Sequence, residues 1–133
     1  MSPHAMLVAA AALTWTMLMV ASLGRARGWT VPGMRVALGN RDALPEPSPF
    51  AARADRAAKN MVENLALVAA LLLGAHWAAV PPERLADPCA LFLAARVVYA
   101  PVYWAGVVGL RTAVWLVSVA AMAWIGALAL ALA

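Results

Sequence analysis

The sequence contains one cysteine, few charged residues and very few acidic ones. Cys89 has no possible partner, which excludes an intrachain disulfide and leaves the redox compartment open. Charged residues make up 12% of the 133 residues and hydrophobic residues 65%, whereas soluble domains carry about 25% charged residues. The sequence also lacks a metal-ligand cluster, a nucleophile triad and a glycine-rich phosphate loop. With a mean hydropathy of +0.82, the chain is predicted to be an integral membrane protein with one domain, residues 1–133.

Four apolar segments approach the length of about 20 residues that a membrane helix needs. They cover about residues 5–23, 50–80, 89–109 and 113–132. Basic residues follow the first segment and do not precede it, so we expect a retained helix and not a cleaved signal peptide. The links after the second and third segments are short, which predicts antiparallel neighbours. The expected fold is therefore an all-α, four-helix up-down membrane bundle.

The loop at about residues 24–49 is rich in proline and glycine, and it precedes most of the polar residues of the second segment. The three alternating prolines at positions 45, 47 and 49 forbid a helix through this stretch. The second long helix is predicted to begin just after Pro49, with Ser48 as its N-cap.

Basic residues predict the topology. The net charge is +4 and the isoelectric point is near 10.2. Positively charged loops stay on the cytoplasmic side of a membrane, so the long loop and the link holding Arg111 are expected there, with both termini on the opposite side. Topology explains the positive charge, and we expect no nucleic-acid partner. Seven of the ten basic residues follow the first apolar segment and precede the second: Arg25, Arg27, Arg35, Arg41, Arg53, Arg56 and Lys59.

Polar residues at spacings of three and four line one face of the second helix. Charges on membrane helices are costly and usually mark an internal site or a water-filled path. Arginines near the helix end have a simpler alternative, since they can reach the headgroups. Glu63 is expected to have a buried partner, although it could merely pair with Lys59, and Asn64 is expected to form an interhelical hydrogen bond. The residues of this face are Arg53, Arg56, Lys59 or Asn60, and Glu63.

The third helix carries Arg96, Tyr99 and Tyr103 on one face. A buried guanidinium stays protonated and needs a carboxylate or a polar ligand. Glu63 is the expected partner of Arg96, within or between subunits. Tyr103 could instead belong to an interfacial aromatic belt, the role expected of Trp104 and Trp115.

These motifs resemble the MAPEG family, the membrane-associated proteins in eicosanoid and glutathione metabolism. The resemblance rests on Arg56-Ala-x-x-Asn60-x-x-Glu63, on Ala95-Arg96-x-x-Tyr99-x-x-x-Tyr103 and on Arg111, and it covers nearly the whole chain. The loop at residues 39–42 is similar to that of the bacterial branch. The sequence departs from the prostaglandin synthase branch at Lys59, Tyr99 and Trp115, so the resemblance does not identify a substrate.

The resemblance implies a homotrimer that holds glutathione between neighbouring subunits, open to the cytoplasm. It implies that Arg111 stabilises the thiolate, that Thr112 stands in the place of a serine beside it, and that Arg56 helps to organise the site. It further implies contacts to the tripeptide from Lys59, Asn60, Glu63, Arg96, Tyr99 and Tyr103.

The expected function is that of a glutathione-dependent transferase or peroxidase of a bacterial inner membrane, acting on lipophilic electrophiles that arrive from the lipid. One alternative is a non-catalytic accessory or scaffold subunit of a larger membrane complex. Another is a transporter or small channel, which is disfavoured because the polar residues cluster at one membrane face and do not cross it.

Overall fold

The computed structural model describes residues 1–41 and 44–131, and in this part of the chain every regular element is a helix. The helices are α1 (Pro3–Ala26), α2 (Val31–Leu38), α3 (Pro49–Trp77), α4 (Pro82–Ala105) and α5 (Val108–Leu130). All except α2 are long and apolar enough to cross a membrane. The predicted all-α, four-helix membrane fold is confirmed.

The central pair of the bundle is formed by α3 and α4. These helices contact each other, and each also contacts both α1 and α5. Four alanines in the first turns of α3 are almost completely buried, which lets neighbouring backbones approach closely. Larger side chains such as Met61, Phe92 and Ile125 fill the rest of the core. Polar residues on the inward faces of these two helices, such as Asn64 and Arg96, therefore lie at the most enclosed part of the bundle.

Local sequence signals explain where the helices begin and end. The Ser48 hydroxyl accepts a hydrogen bond from the Ala51 backbone N–H at 3.1 Å, so the predicted start of α3 is confirmed. α4 ends near the start of α3. Its last residue is followed by Gly106, whose φ of 82° lies in the left-handed region. Glycine adopts that conformation without a steric penalty. We call the end of the bundle where α3 and α5 begin the loop end.

The structure corrects the predicted boundaries in three places. The loop at 24–49 contains α2, because Pro32 is tolerated in a first turn and the Thr30 hydroxyl caps the Gly33 N–H. The third long helix covers 82–105 and not 89–109, since its charged first turns are exposed to solvent. The link between α4 and α5 is only residues 106–107, so Arg111 lies in the first turn of α5. Residue 132 and Asp42 lie outside the described residues.

Candidate functional site

A polar groove of about 230 Å³ opens near the loop end, where α3, α4 and α5 meet. The turn at Gly106 brings the first turns of α5 back against the last turns of α4, and this contact forms two walls of the groove. Five of the predicted site residues are brought together here. The polar groove is lined by Asn60, Tyr99, Tyr103, Arg111, Thr112 and Trp115.

Two tyrosine rings line one side of the polar groove, and each of them contacts an arginine. The Arg111 guanidinium carbon lies 4.6 Å from the centroid of the Tyr103 ring. Tyr103 and Tyr99 meet edge to face, with ring centroids 5.3 Å apart, and the Arg96 guanidinium carbon lies 4.9 Å from the Tyr99 ring. Such contacts fix the side chains, since the face of an aromatic ring attracts a cation. The Arg111 guanidinium therefore has a defined position in the wall of the groove.

Arg96 lies behind the groove wall and is fully buried. Its Nη1 donates a hydrogen bond to Asn60 Oδ1 at 2.9 Å. Its Nε and Nη2 are buried and have no hydrogen-bond partner among the described residues. The predicted contact with Glu63 is not formed within the chain, because the Asn60 side chain points inward while Glu63 is exposed. A buried cation with two unused donors leaves hydrogen-bonding capacity next to the groove.

Three predicted site residues face away from the polar groove. Arg56, Lys59 and Glu63 are exposed on α3, and we call them the outward charges. Lys59 Nζ forms an ion pair with Asp55 Oδ2 at 2.9 Å, so within the described chain the alternative pairing of Lys59 with Glu63 is wrong. Arg56 and Lys59 border a separate cavity of about 410 Å³ that also contacts Arg25. The structure thus divides the predicted site into an inward group, which lines the polar groove, and an exposed group on the adjoining part of the α3 surface.

Two further polar residues of α3 have structural roles. Arg53 is half-buried, and its Nε donates a hydrogen bond to the Trp104 carbonyl at 2.8 Å, which ties the start of α3 to the end of α4. Asn64 donates to the Asn60 carbonyl of its own helix at 2.7 Å. The predicted interhelical bond of Asn64 is therefore wrong.

Two residues of the site region were not predicted to belong to it: Trp115 was assigned to an aromatic belt, and Phe92 was not considered. Trp115 lines the polar groove, and the Phe92 ring centroid lies 5.7 Å from the Arg96 guanidinium carbon. Each lies four residues from an arginine of the site, and residues at that spacing share a helix face. Helical spacing could have identified both.

The lining of the groove limits its chemistry. Its six side chains supply a guanidinium, two phenols, an amide, a hydroxyl and an indole, and none of them is a carboxylate or an imidazole. The Thr112 hydroxyl donates to the Val108 carbonyl at 3.1 Å, which leaves its lone pairs available as acceptors. This arrangement favours an anionic or strongly polar ligand near Arg111.

Comparison with known proteins agrees with the fold and the residue pattern. The model of the MAPEG family matches residues 2–131. No curated protein and no solved structure gives a significant match. A match over almost the entire length, together with the four membrane-spanning helices and the arginine and tyrosine pattern of α4, shows that the chain belongs to the MAPEG family.

Proposed function

We propose that the protein is a membrane-bound, glutathione-dependent transferase or peroxidase that acts on lipophilic electrophiles. In this proposal it works as a homotrimer in a bacterial inner membrane, with the loop end on the cytoplasmic side. Family membership supports the glutathione-related class of function. The polar groove supports the more specific assignment of the reacting atoms.

The position of Arg111 is the observation that carries the proposal. A free thiol has a pKa of about 8.5, and adjacent cations lower it. Arg111 lies in the first turn of α5, half-buried, with its guanidinium held over Tyr103 at the mouth of the groove. It therefore stabilises the thiolate of a bound thiol, and the thiolate is the nucleophile.

Glutathione fits the residues of the region in part. Its thiol matches the Arg111 cation, whereas its two carboxylates meet no further cation among the described residues that line the groove, since Arg96 is fully buried behind the wall. Glutathione also carries an ammonium group, for which the groove lining offers no carboxylate. A volume of about 230 Å³ is below the range of about 300–1,000 Å³ that is usual for ligand pockets. One chain thus supplies part of a site, and a second chain is needed to complete it.

The outward charges supply the missing part in the proposed trimer. Glu63 is the fifteenth residue of the 29-residue helix α3, so it lies about 21 Å along the axis, near the middle. An exposed carboxylate at that depth of a membrane helix needs protein or water against it. We place this face of α3 against a neighbouring subunit, where Glu63 meets the ammonium group and Arg56 and Lys59 meet a carboxylate.

The chemistry follows from a thiolate at the edge of an apolar bundle. In a transfer reaction its sulfur forms a bond to an electrophilic carbon, and the leaving group takes the bonding electrons. In a peroxidase reaction two thiols are oxidised to a disulfide while a hydroperoxide is reduced to an alcohol and water. Exposed apolar residues of α5 such as Leu110 and Leu116 flank the groove, which gives a lipophilic substrate a path from the bilayer.

Glutathione binding to the detergent-purified trimer tests the proposal. We expect saturable heat on titration and an ultraviolet difference spectrum of the thiolate, with the thiolate signal lost in Arg111→Ala. Arg84→Ala is the matched control, since Arg84 is exposed at the opposite end of α4. Absence of binding at millimolar thiol would contradict the proposal and favour the accessory-subunit alternative.

A further inference from the structure

An exposed apolar stripe runs along α2, the short helix between the first two membrane helices. Val31, Met34 and Leu38 are exposed by 72%, 42% and 82%. Their spacings of three and four place them on one helix face, and Trp29, exposed by 68%, precedes them. Exposure of such a stripe to water is unfavourable, and exposed apolar patches usually mark a contact with protein or membrane.

The opposite face of α2 is fixed against the end of α1. Gly33 is buried there, and a Cβ atom at this position would lie 2.0 Å from the Arg27 carbonyl oxygen. Only glycine permits this approach of the two backbones. The orientation of the apolar stripe is therefore set by a contact between backbones, and it points away from α1.

The charge around α2 has one sign. Residues 24–41 contain four arginines and no acidic residue. Arg27 and Arg35 are exposed, and Arg41 turns back to donate to the Ala37 carbonyl at 3.0 Å and caps the end of α2. Arg35 follows Met34 directly and borders the stripe. This pattern combines an apolar face with flanking cations and complements anionic headgroups.

The position of α2 relative to α1 places it at membrane level. α1 has 24 residues and is about 36 Å long, which exceeds a hydrocarbon core of about 30 Å. Its last turn therefore emerges among the headgroups, and α2 begins five residues later. Tryptophan is enriched at this depth, and Trp29 lies in the connecting turn.

We propose that α2 is a membrane-surface helix that inserts Val31, Met34 and Leu38 into the bilayer interface and binds anionic lipid headgroups through Arg27 and Arg35. The proposal does not depend on thiol chemistry. It requires only that α1 spans the membrane, and it applies to whichever side the loop occupies.

Site-directed fluorescence in lipid nanodiscs tests this assignment. Cys89→Ala removes the buried native thiol, and Met34→Cys and Leu38→Cys then carry a polarity-sensitive probe. Glu46→Cys is the control, since Glu46 is exposed in the same loop outside α2. We expect blue-shifted emission and several-fold stronger quenching by lipid-borne nitroxide at the two α2 positions, and stronger quenching by aqueous iodide at the control position.

Lipid composition tests the headgroup contact separately. With phosphatidylglycerol in the nanodisc the blue shift at Leu38→Cys should increase relative to phosphatidylcholine alone, and Arg27→Gln/Arg35→Gln should abolish the increase. Two results would overturn the proposal. Iodide quenching equal to the control would place the stripe in water, whereas shielding from both quenchers, with disulfide cross-linking through Leu38→Cys, would make it a contact between copies of this chain.

Discussion

The two sides of α3 hold their polar residues in different ways. On the inward side Asn60 accepts a hydrogen bond from the fully buried Arg96, which in turn packs against aromatic rings. On the outward side Glu63 is exposed, and Lys59 pairs with Asp55 one turn earlier on the same helix. The inward residues are positioned by contacts within one chain, whereas the outward residues are exposed on the surface of α3.

Mutations on the two sides should therefore have different effects on the free energy of unfolding. Loss of an inward partner strands a buried charge, which destabilises the folded chain. Loss of an outward charge leaves the fold of the subunit intact and affects only what binds there. Under the proposed function both sides contact the same thiol, from neighbouring subunits. Mutations should therefore separate effects on stability from effects on binding.

Arg111→Ala should have the largest effect on activity. It removes the cation that stabilises the thiolate, and loss of one such group typically costs about a hundredfold to a thousandfold in rate. Arg111 is half-buried at the start of α5, so the melting temperature should change little. Turnover of a lipophilic electrophile and thermal unfolding in detergent measure the two effects. A rate no lower than that of Arg84→Ala would argue that the groove is not the reaction site.

Asn60→Leu should have the largest effect on stability. It removes the described hydrogen-bond acceptor of Arg96, and we expect a loss of about 2–4 kcal/mol in the free energy of unfolding. The double variant Asn60→Leu/Arg96→Met should recover most of this loss, since both polar partners are replaced by apolar groups. Denaturation in mixed micelles measures the free energy of unfolding of both variants.

Asn64→Leu is the matched control for that cycle. Asn64 lies one turn further along α3 and donates to a backbone carbonyl, so its loss strands no charge and should cost about 1 kcal/mol or less. Equal losses at Asn60 and Asn64, or no recovery in the double variant, would show that Arg96 does not depend on Asn60.

Glu63→Gln should weaken thiol binding without changing stability. A hydrogen bond to a charged group contributes about 1.5–3 kcal/mol, which corresponds to roughly a tenfold to hundredfold increase in the KM for glutathione. The kcat should change little, since Glu63 lies away from the reacting sulfur in this proposal. Glu83→Gln is the control, an exposed acid in the first turn of α4, at the end of the bundle away from the loop end. An unchanged KM in Glu63→Gln would show that Glu63 does not contribute to thiol binding.

Thr112→Val should have the smallest effect. Thr112 and Thr16 make the same hydrogen bond to the carbonyl four residues earlier, at 3.1 and 2.9 Å, and both are exposed. Only Thr112 lines the groove. Each substitution should change the free energy of unfolding by less than about 0.5 kcal/mol, while thiol turnover should fall modestly in Thr112→Val alone. Equal turnover in the two variants would restrict Thr112 to a structural role.

The sequence predicted the long helices well and their ends less well. The length of the apolar segment predicted α1, and the Ser48 N-cap predicted the start of α3. Both signals are local in the sequence. The start of α4 was missed since Glu83, Arg84 and Asp87 look like loop residues, although charges in an exposed first turn are compatible with a helix. α2 was missed because the segment at 24–49, rich in proline and glycine, was interpreted as a loop throughout.

The site was predicted as a set of residues and not as an arrangement. Spacing of three and four residues grouped Arg96, Tyr99 and Tyr103, which the structure places in contact. Spacing alone could not tell whether Asn60 or Glu63 faces Arg96, since both belong to the same polar side of α3. That choice depends on how α3 is rotated against α4, which follows from the packing of the whole bundle and not from spacing along one helix.

Complementation between two inactive variants tests most directly whether both sides of α3 serve one site across a subunit boundary. Arg111→Ala and a charge-reversed Glu63→Lys, each inactive alone, are co-expressed with different tags and purified through both. In a closed ring of head-to-tail contacts, one site in three of every mixed trimer, about a third of the sites, would combine an intact Arg111 with an intact Glu63 from the neighbour. We expect recovered turnover in the mixed assemblies. No recovery in assemblies shown to contain both variants would contradict it.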